Sequence, residues 1–137
     1  MEKNLRYTLG KDDKLKSRKI IEQLFKEGKS FSLFPFRIIY LLQSSNNIGR
    51  LQAGFSVGTK HFKNAVDRNR IKRLMREGYR LQKNTLTDLV KKDTKDCWVF
   101  FIYTGTNIPD HTLVSEKINA SLKRLQKIVD ENGIKNL

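Results

Sequence analysis

Apolar positions at helical spacing mark the first element of the chain. They place five side chains on one helix face, namely Leu15, Ile20, Ile21, Leu24 and Phe25. Asp12 or Asp13 supplies an N-cap, and Gly28 is well placed to end the helix. The pattern therefore predicts a helix over roughly residues 13 to 27.

Three later segments have the composition of β-strands. "FPFRIIYLLQ" and "RLQAGFSVG" are rich in β-branched and aromatic residues, and "SSNNIG" lies between them as a turn cluster. These two segments predict a β-hairpin. "CWVFFIYTG" is almost continuously apolar, which is typical of a central strand buried on both faces.

Two further segments return to the helical period. The first runs from about Asn64 to Gln82, and the second closes the chain, with Asn132-Gly133 as its expected stop. The order α-β-β-α-β-α predicts an α+β fold in which helices pack on a small sheet. We expect residues 1–137 to form a single domain, with flexible ends at 1–12 and 133–137.

Charge changes the picture from a fold to a class of partner. Among 137 residues, 28 Lys and Arg face 14 Asp and Glu, which gives a net charge of +14. Such an excess favours a polyanion as partner. No apolar run approaches the ~20 residues that span a bilayer, and no secretory signal precedes the first helix, so we expect a cytoplasmic protein.

The sequence offers little for metal or disulfide chemistry. Cys97 has no second cysteine to pair with, and His61 and His111 are too far apart for a zinc-ligand spacing. We therefore expect no metal and no cofactor bound by the protein alone.

The basic helix divides into two arcs when residues advance about 100° each. The apolar arc holds Ile71, Leu74, Met75, Gly78, Tyr79 and Leu81. The opposite arc holds Arg70, Lys72, Arg73, Arg76 and Arg80. Like charges three or four positions apart repel by a few tenths of a kcal/mol per pair, and the planar arginine fork suits phosphate. Nucleic acid is the natural ligand, and Asn64 can cap the helix whose N-terminus favours phosphate.

Three other classes of function remain open at this point. A ribosomal or other structural RNA-binding protein would share the charge. A membrane-surface protein would need large apolar residues opposite the basic arc, which here are needed for the sheet. A protein nuclease would have to rely on Asp67 or Glu77, since no paired carboxylates or activated histidine are present.

The run "FSVGTKHFKNAVDRNRIKRLMREGYR" closely resembles the RNR motif of the bacterial ribonuclease P protein component. The matched positions are Asn64, Ala65, Val66, Arg68, Asn69, Arg70, Lys72, Arg73 and Arg76. The resemblance implies a subunit of a ribonucleoprotein in which the RNA binds Mg²⁺ and cleaves the 5′ leader from precursor tRNA. It also implies a left-handed βαβ crossover, as in domain 2 of a small-subunit ribosomal protein, and no DNA or membrane partner.

The family's two RNA surfaces map onto this sequence by the same resemblance. Contacts to the catalytic RNA would come from Lys60, Lys63, Asn64, Arg68, Asn69, Arg70, Lys72, Arg73, Arg76 and Arg80. A cleft for the leader would lie between the first helix and the sheet, with Ile21, Phe25, Arg37, Ile39 and Tyr40 as candidates. Phe25 is equally well read as a core residue. Ile39 stands where the family has a cleft aromatic, so either Tyr40 replaces it or base stacking is weaker in this protein.

The loop before the basic helix departs from the family's pattern, and two aromatic residues of the apolar strand have no role implied by the resemblance. The loop "GTKHFKNAV" has one extra residue, which leaves the geometry around His61 and Phe62 open, although His61 reads as an exposed loop residue. Trp98 and Phe100, on the apolar strand, are most simply core residues.

Overall fold

The computed structural model describes residues 10, 13–46 and 48–135, and the side chains of 132–135 are not considered. Four helices and four strands occur in that part of the chain. In chain order they are α1 (Arg18–Glu27), β1 (Lys29–Leu33), β2 (Phe36–Ser44), β3 (Leu51–Val57), α2 (Ala65–Gln82), α3 (Asn84–Lys92), β4 (Lys95–Tyr103) and α4 (His111–Lys135). The α+β class is confirmed, with β1 and α3 as elements that the pattern did not predict.

Helix α1 begins later than the apolar spacing predicts. The Ser17 side chain accepts a hydrogen bond from the Ile20 amide, so Ser17 is the N-cap rather than Asp12 or Asp13. Gly28 ends the helix as expected, and its N–H donates to the Leu24 carbonyl. The segment before α1 instead lies against the sheet edge, where Lys14 forms a parallel bridge with Ala53.

The four strands form one sheet in the order β1-β2-β4-β3. Strand β2 pairs antiparallel with β1 and β4, and β3 pairs in parallel with β4. The predicted β2–β3 hairpin is therefore wrong. The true hairpin is β1–β2, which turns at Phe34-Pro35. The strongly apolar β4 needs neighbours on both sides, so it lies between the two strands that are adjacent in sequence.

The central position of β4 is confirmed, but its two faces are not equally buried. Cys97, Val99 and Phe101 are buried, whereas Trp98 and Phe100 are half-buried. Helices α2, α3 and α4 pack on the first face, and α1 alone packs on the second. A ten-residue helix covers only part of that second face.

Helix α3 follows α2 after the single residue Lys83, whose φ of −73° and ψ of −19° are in the helical region. The Lys83 side chain is buried, and its ammonium lies 3.8 Å from an Asp13 carboxylate oxygen. This ion pair joins the end of α2 to the segment before α1. Because β3 and β4 are parallel neighbours, α2 and α3 form the crossover between them; its left hand stays a prediction.

Helix α4 does not stop at Asn132-Gly133 but continues to Lys135. One glycine costs about 1 kcal/mol in a helix, which a helix of 25 residues tolerates. The flexible ends expected at 1–12 and 133–137 stay a prediction, since residues 1–9, 11–12 and 136–137 lie outside the described residues and 133–135 continue α4.

Candidate nucleic-acid interface

Helix α2 presents one face to the core and one to solvent, as its two arcs predict. Ile71, Met75, Gly78 and Tyr79 are buried. The Tyr79 ring packs edge-on against Phe101 at 5.8 Å between centroids, which anchors the helix on the sheet. Leu81 is exposed and Leu74 only half-buried, so the apolar arc is narrower than predicted.

The opposite face of α2 carries several cations that make no contact with a carboxylate among the described residues. We define the α2 cationic surface as Arg70, Lys72, Arg73 and Arg76, of which Lys72 is half-buried and the arginines are exposed. Within the described part of the chain, none of these four forms an ion pair. Their guanidinium and ammonium groups are therefore available to phosphate, and their mutual repulsion decreases when a polyanion binds.

Arg80, at the end of the predicted surface, differs from these four. Its Nε donates to Glu77 Oε2 at 3.2 Å, and the two side chains form an ion pair. The Arg80 hydrogen bond lowers the pKa of the Glu77 carboxyl. Arg80 thus has an intrahelical partner that a phosphate would have to replace.

Arg68 also has partners, and they lie in the loop before α2. Its Nη1 donates to the carbonyls of Phe62 and Lys63, each at 2.8 Å. Phe62 is buried, with its ring 6.0 Å from that of Tyr103. Arg68 and Phe62 together hold the loop before α2 in place.

The remaining loop residues take exposed positions. Lys60, His61 and Lys63 are exposed, as are Asn64 and Asn69. Asn64 occupies the N-cap position of α2, but its side chain makes no capping hydrogen bond, contrary to expectation. The structure thus brings Lys60 and Lys63 to the N-terminal end of the α2 cationic surface.

A cleft lies between the N-terminal segment, α1 and the sheet. It is about 280 Å³ in volume. Its lining includes Lys14, Lys16, Ile21, Gly54, Phe100 and Arg76. The Phe100 ring packs so closely on the Gly54 backbone that a Cβ added to Gly54 would stand 2.6 Å from the ring. Phe25 is 48% exposed and packs edge-on against Phe100 at 5.2 Å.

The cleft candidates on β2 separate by face. Ile39 is buried beneath α1, and Arg37 is exposed on the same face by strand alternation. Tyr40 lies on the opposite face, where its ring is 5.9 Å from Phe31. The expectation that Tyr40 replaces Ile39 in the cleft is therefore wrong, since a strand residue cannot move to the other face without a change of register.

Sequence reasoning missed Phe100 as a cleft residue and assigned it to the core. Pairing of Ile39 with Phe100 in the β2–β4 register places both on the α1 side. Alternation along β4 contains that signal, but the pairing with β2 had to be known first. Lys14 and Lys16 were missed because they were assigned to a helix.

In the part of the chain that the structure describes, no three His, Cys, Asp or Glu side chains group together to hold a metal ion. No described helix is long and apolar enough to cross a membrane. Burial raises the pKa of the Cys97 thiol to about 12, so this cysteine is not an activated nucleophile.

The fold and the site define a class: a small basic α+β protein that presents unpaired arginines on one helix beside an aromatic cleft. Residues 9–126 match the Ribonuclease P family model. The chain belongs to the ribonuclease P protein component family.

Named relatives agree with that assignment. The ribonuclease P protein component of Porphyromonas gingivalis is 35% identical over 130 residues, which cover 95% of each chain. That of Chlorobaculum tepidum is 73% identical over 33 residues, 24% of this chain and 21% of the relative.

Solved structures agree as well. The RNase P protein of Thermotoga maritima is 27% identical and has a TM-score of 0.59, with 81% of this chain and 96% of that chain covered. The Staphylococcus aureus protein, at 23% identity and a TM-score of 0.63 over 84% of this chain and 96% of that chain, shows the same fold.

Proposed function

We propose that this protein is the protein subunit of a ribonuclease P ribonucleoprotein, which removes the 5′ leader of precursor tRNA. Family membership and the unpaired α2 cationic surface support the proposal together. The RNA subunit performs the Mg²⁺-dependent cleavage, and the protein contributes binding energy. The cytoplasmic location expected from the sequence stays a prediction.

The α2 cationic surface binds the backbone of the RNA subunit. Arg70, Arg73 and Arg76 project from a helix that is anchored in the core, so they meet phosphates with little loss of backbone freedom. Lys60 and Lys63 extend the surface toward the N-terminus of α2, where the helix dipole also favours an anion.

The cleft binds the single-stranded leader. Phe25 and Phe100 supply aromatic faces, and Lys14, Lys16 and Arg76 supply positive charge. This combination is the usual basis of single-strand binding that tolerates many sequences. Arg76 lies in both surfaces and thereby brings the leader near the RNA subunit.

Reconstitution tests the proposal. The purified protein is added to a bacterial ribonuclease P RNA and a precursor tRNA at low magnesium, and release of the leader is followed. Cleavage at the mature 5′ end that needs both RNA and protein is the expected result. No stimulation, with tight binding to ribosomal RNA instead, would favour a structural RNA-binding protein.

A further inference from the structure

A second candidate surface lies along α4, on the flank that faces the β1–β2 hairpin. Helix α4 packs against α2 on one flank, where the Gln82 side chain donates to the Ser115 carbonyl at 3.1 Å. On its other flank the Arg124 guanidinium lies over the Phe31 ring, 4.5 Å from the centroid. Two separate depressions open along this flank, one on each side of Arg124, and together with Arg124 they are called the α4 groove.

Cations border both depressions of the α4 groove, and one lies between them. Lys29 and Lys95 border a depression at one end, and Lys117 borders a second depression at the other. Arg124 lies between them. Glu27 and Asp110 are the carboxylates that border the same two depressions. Four cations against two carboxylates leave the groove positive.

Aromatic rings alternate with these cations. Tyr40, half-buried, borders the first depression and packs on Phe31, which Arg124 covers. Phe34, at the hairpin turn, is 73% exposed and borders the second depression with Pro35 and Ile108. Five residues of β1 separate the two ends, about 17 Å at the usual rise per strand residue.

Aromatic faces that alternate with cations in a groove are suited to single-stranded nucleic acid. We infer that the α4 groove binds a single-stranded segment of the ribonuclease P RNA, an inference that rests on the proposed function. Phe31 and Tyr40 pack on the sheet face that α2 covers and the α1 cleft lies on the other face, while the first depression reaches the end of α1 at Glu27.

Photocross-linking from Phe34 tests the inference. Phe34 is replaced by p-benzoylphenylalanine, which keeps an aromatic ring at an exposed turn and so leaves the core unchanged. The holoenzyme with precursor tRNA is irradiated, and the cross-linked nucleotides are mapped. We expect cross-links to unpaired nucleotides of the RNA subunit. Cross-links to the leader alone, or to paired nucleotides alone, would overturn the inference.

The same amino acid at Val66, which is 78% exposed on α2, provides the positive control. Cross-links from Val66 without any from Phe34 would overturn the groove and leave the proposed function standing. If neither position cross-links and leader release is not stimulated, the proposed function falls and the inference with it.

Charge removal gives an independent measurement. Lys29→Ala with Lys117→Ala removes two groove cations without uncovering Phe31. If both meet single-stranded phosphates, the slope of log affinity for the RNA subunit against log salt should fall by about 1.4. The matched pair Lys91→Ala with Lys92→Ala, exposed on α3, should leave the slope unchanged. An equal slope for both pairs and the unmodified protein would contradict the inference.

Discussion

Arg68 provides a sharp test of how the RNR segment works, because its contacts differ from those of its neighbours. In the structure its Nη1 donates to two loop carbonyls at 2.8 Å. A hydrogen bond from a charged donor contributes about 1.5–3 kcal/mol, and partial exposure of Arg68 reduces this to about 1 kcal/mol each. We therefore expect Arg68→Ala to destabilise the ordered conformation of the loop by about 2 kcal/mol.

That loss predicts a distinct binding signature. If the loop must be ordered for RNA to bind, about 2 kcal/mol corresponds to a Kd about 30-fold weaker at every salt concentration. The salt slope stays the same because no phosphate contact is removed. Arg70→Ala, in contrast, should lower the slope by about 0.9. The triple variant Arg68→Ala, Arg70→Ala, Arg73→Ala should then lower the salt slope by about 1.8, rather than by the 2.7 expected of three phosphate contacts.

Filter binding over a range of salt concentrations measures both quantities. Hydrogen exchange adds a structural readout, since amides of the loop between Gly58 and Asn64 should exchange faster in Arg68→Ala and not in Arg70→Ala. A slope for Arg68→Ala that falls by about 0.9, with unchanged loop exchange, would refute the reasoning and make Arg68 a phosphate contact.

Three further outcomes are expected. Gly54→Ala should displace the Phe100 ring, which costs about 1–3 kcal/mol of stability and weakens leader binding. Gly58→Ala is the control, because nothing lies within 4 Å of its added Cβ, and it should change neither stability nor leader binding. Equal melting temperatures and leader affinities for the two variants would contradict this. Sulfate at ten times its Kd should stabilise the fold by about 1.4 kcal/mol, and a melting temperature equal to that in chloride of matched ionic strength would count against anion binding. The raised pKa of the Cys97 thiol makes a contribution to stability that is full below pH 9.0, the ordinary thiol value, and is lost as pH rises toward about 12. In urea titrations, the free energy of unfolding should therefore fall less steeply with pH for Cys97→Ala than for the unmodified protein. Identical pH profiles would exclude the thiol as the cause.

The α4 groove shows how far residue patterns reach. Strand alternation places Tyr40 and Ile39 on opposite faces of β2, because side-chain direction depends only on local backbone geometry. The same alternation could not say which helix covers which face. Tyr40 was therefore assigned to the α1 cleft, although it lies in the α4 groove.

The sequence by itself determined the features that depend on local spacing. These are the class of elements, the position and two faces of α2, the excess positive charge and the RNR run that carries the family resemblance. Periodicity determines which side chains share a face, and formal charge needs no structure.

Only the tertiary structure decided how the elements meet. It placed β4 between β2 and β3, brought Phe100 into the cleft and turned Arg68 toward the loop. Each of these depends on contacts between residues far apart in sequence, or on competition between loop carbonyls and solvent for one donor. Such choices are governed by burial of the whole sheet, which no local pattern contains.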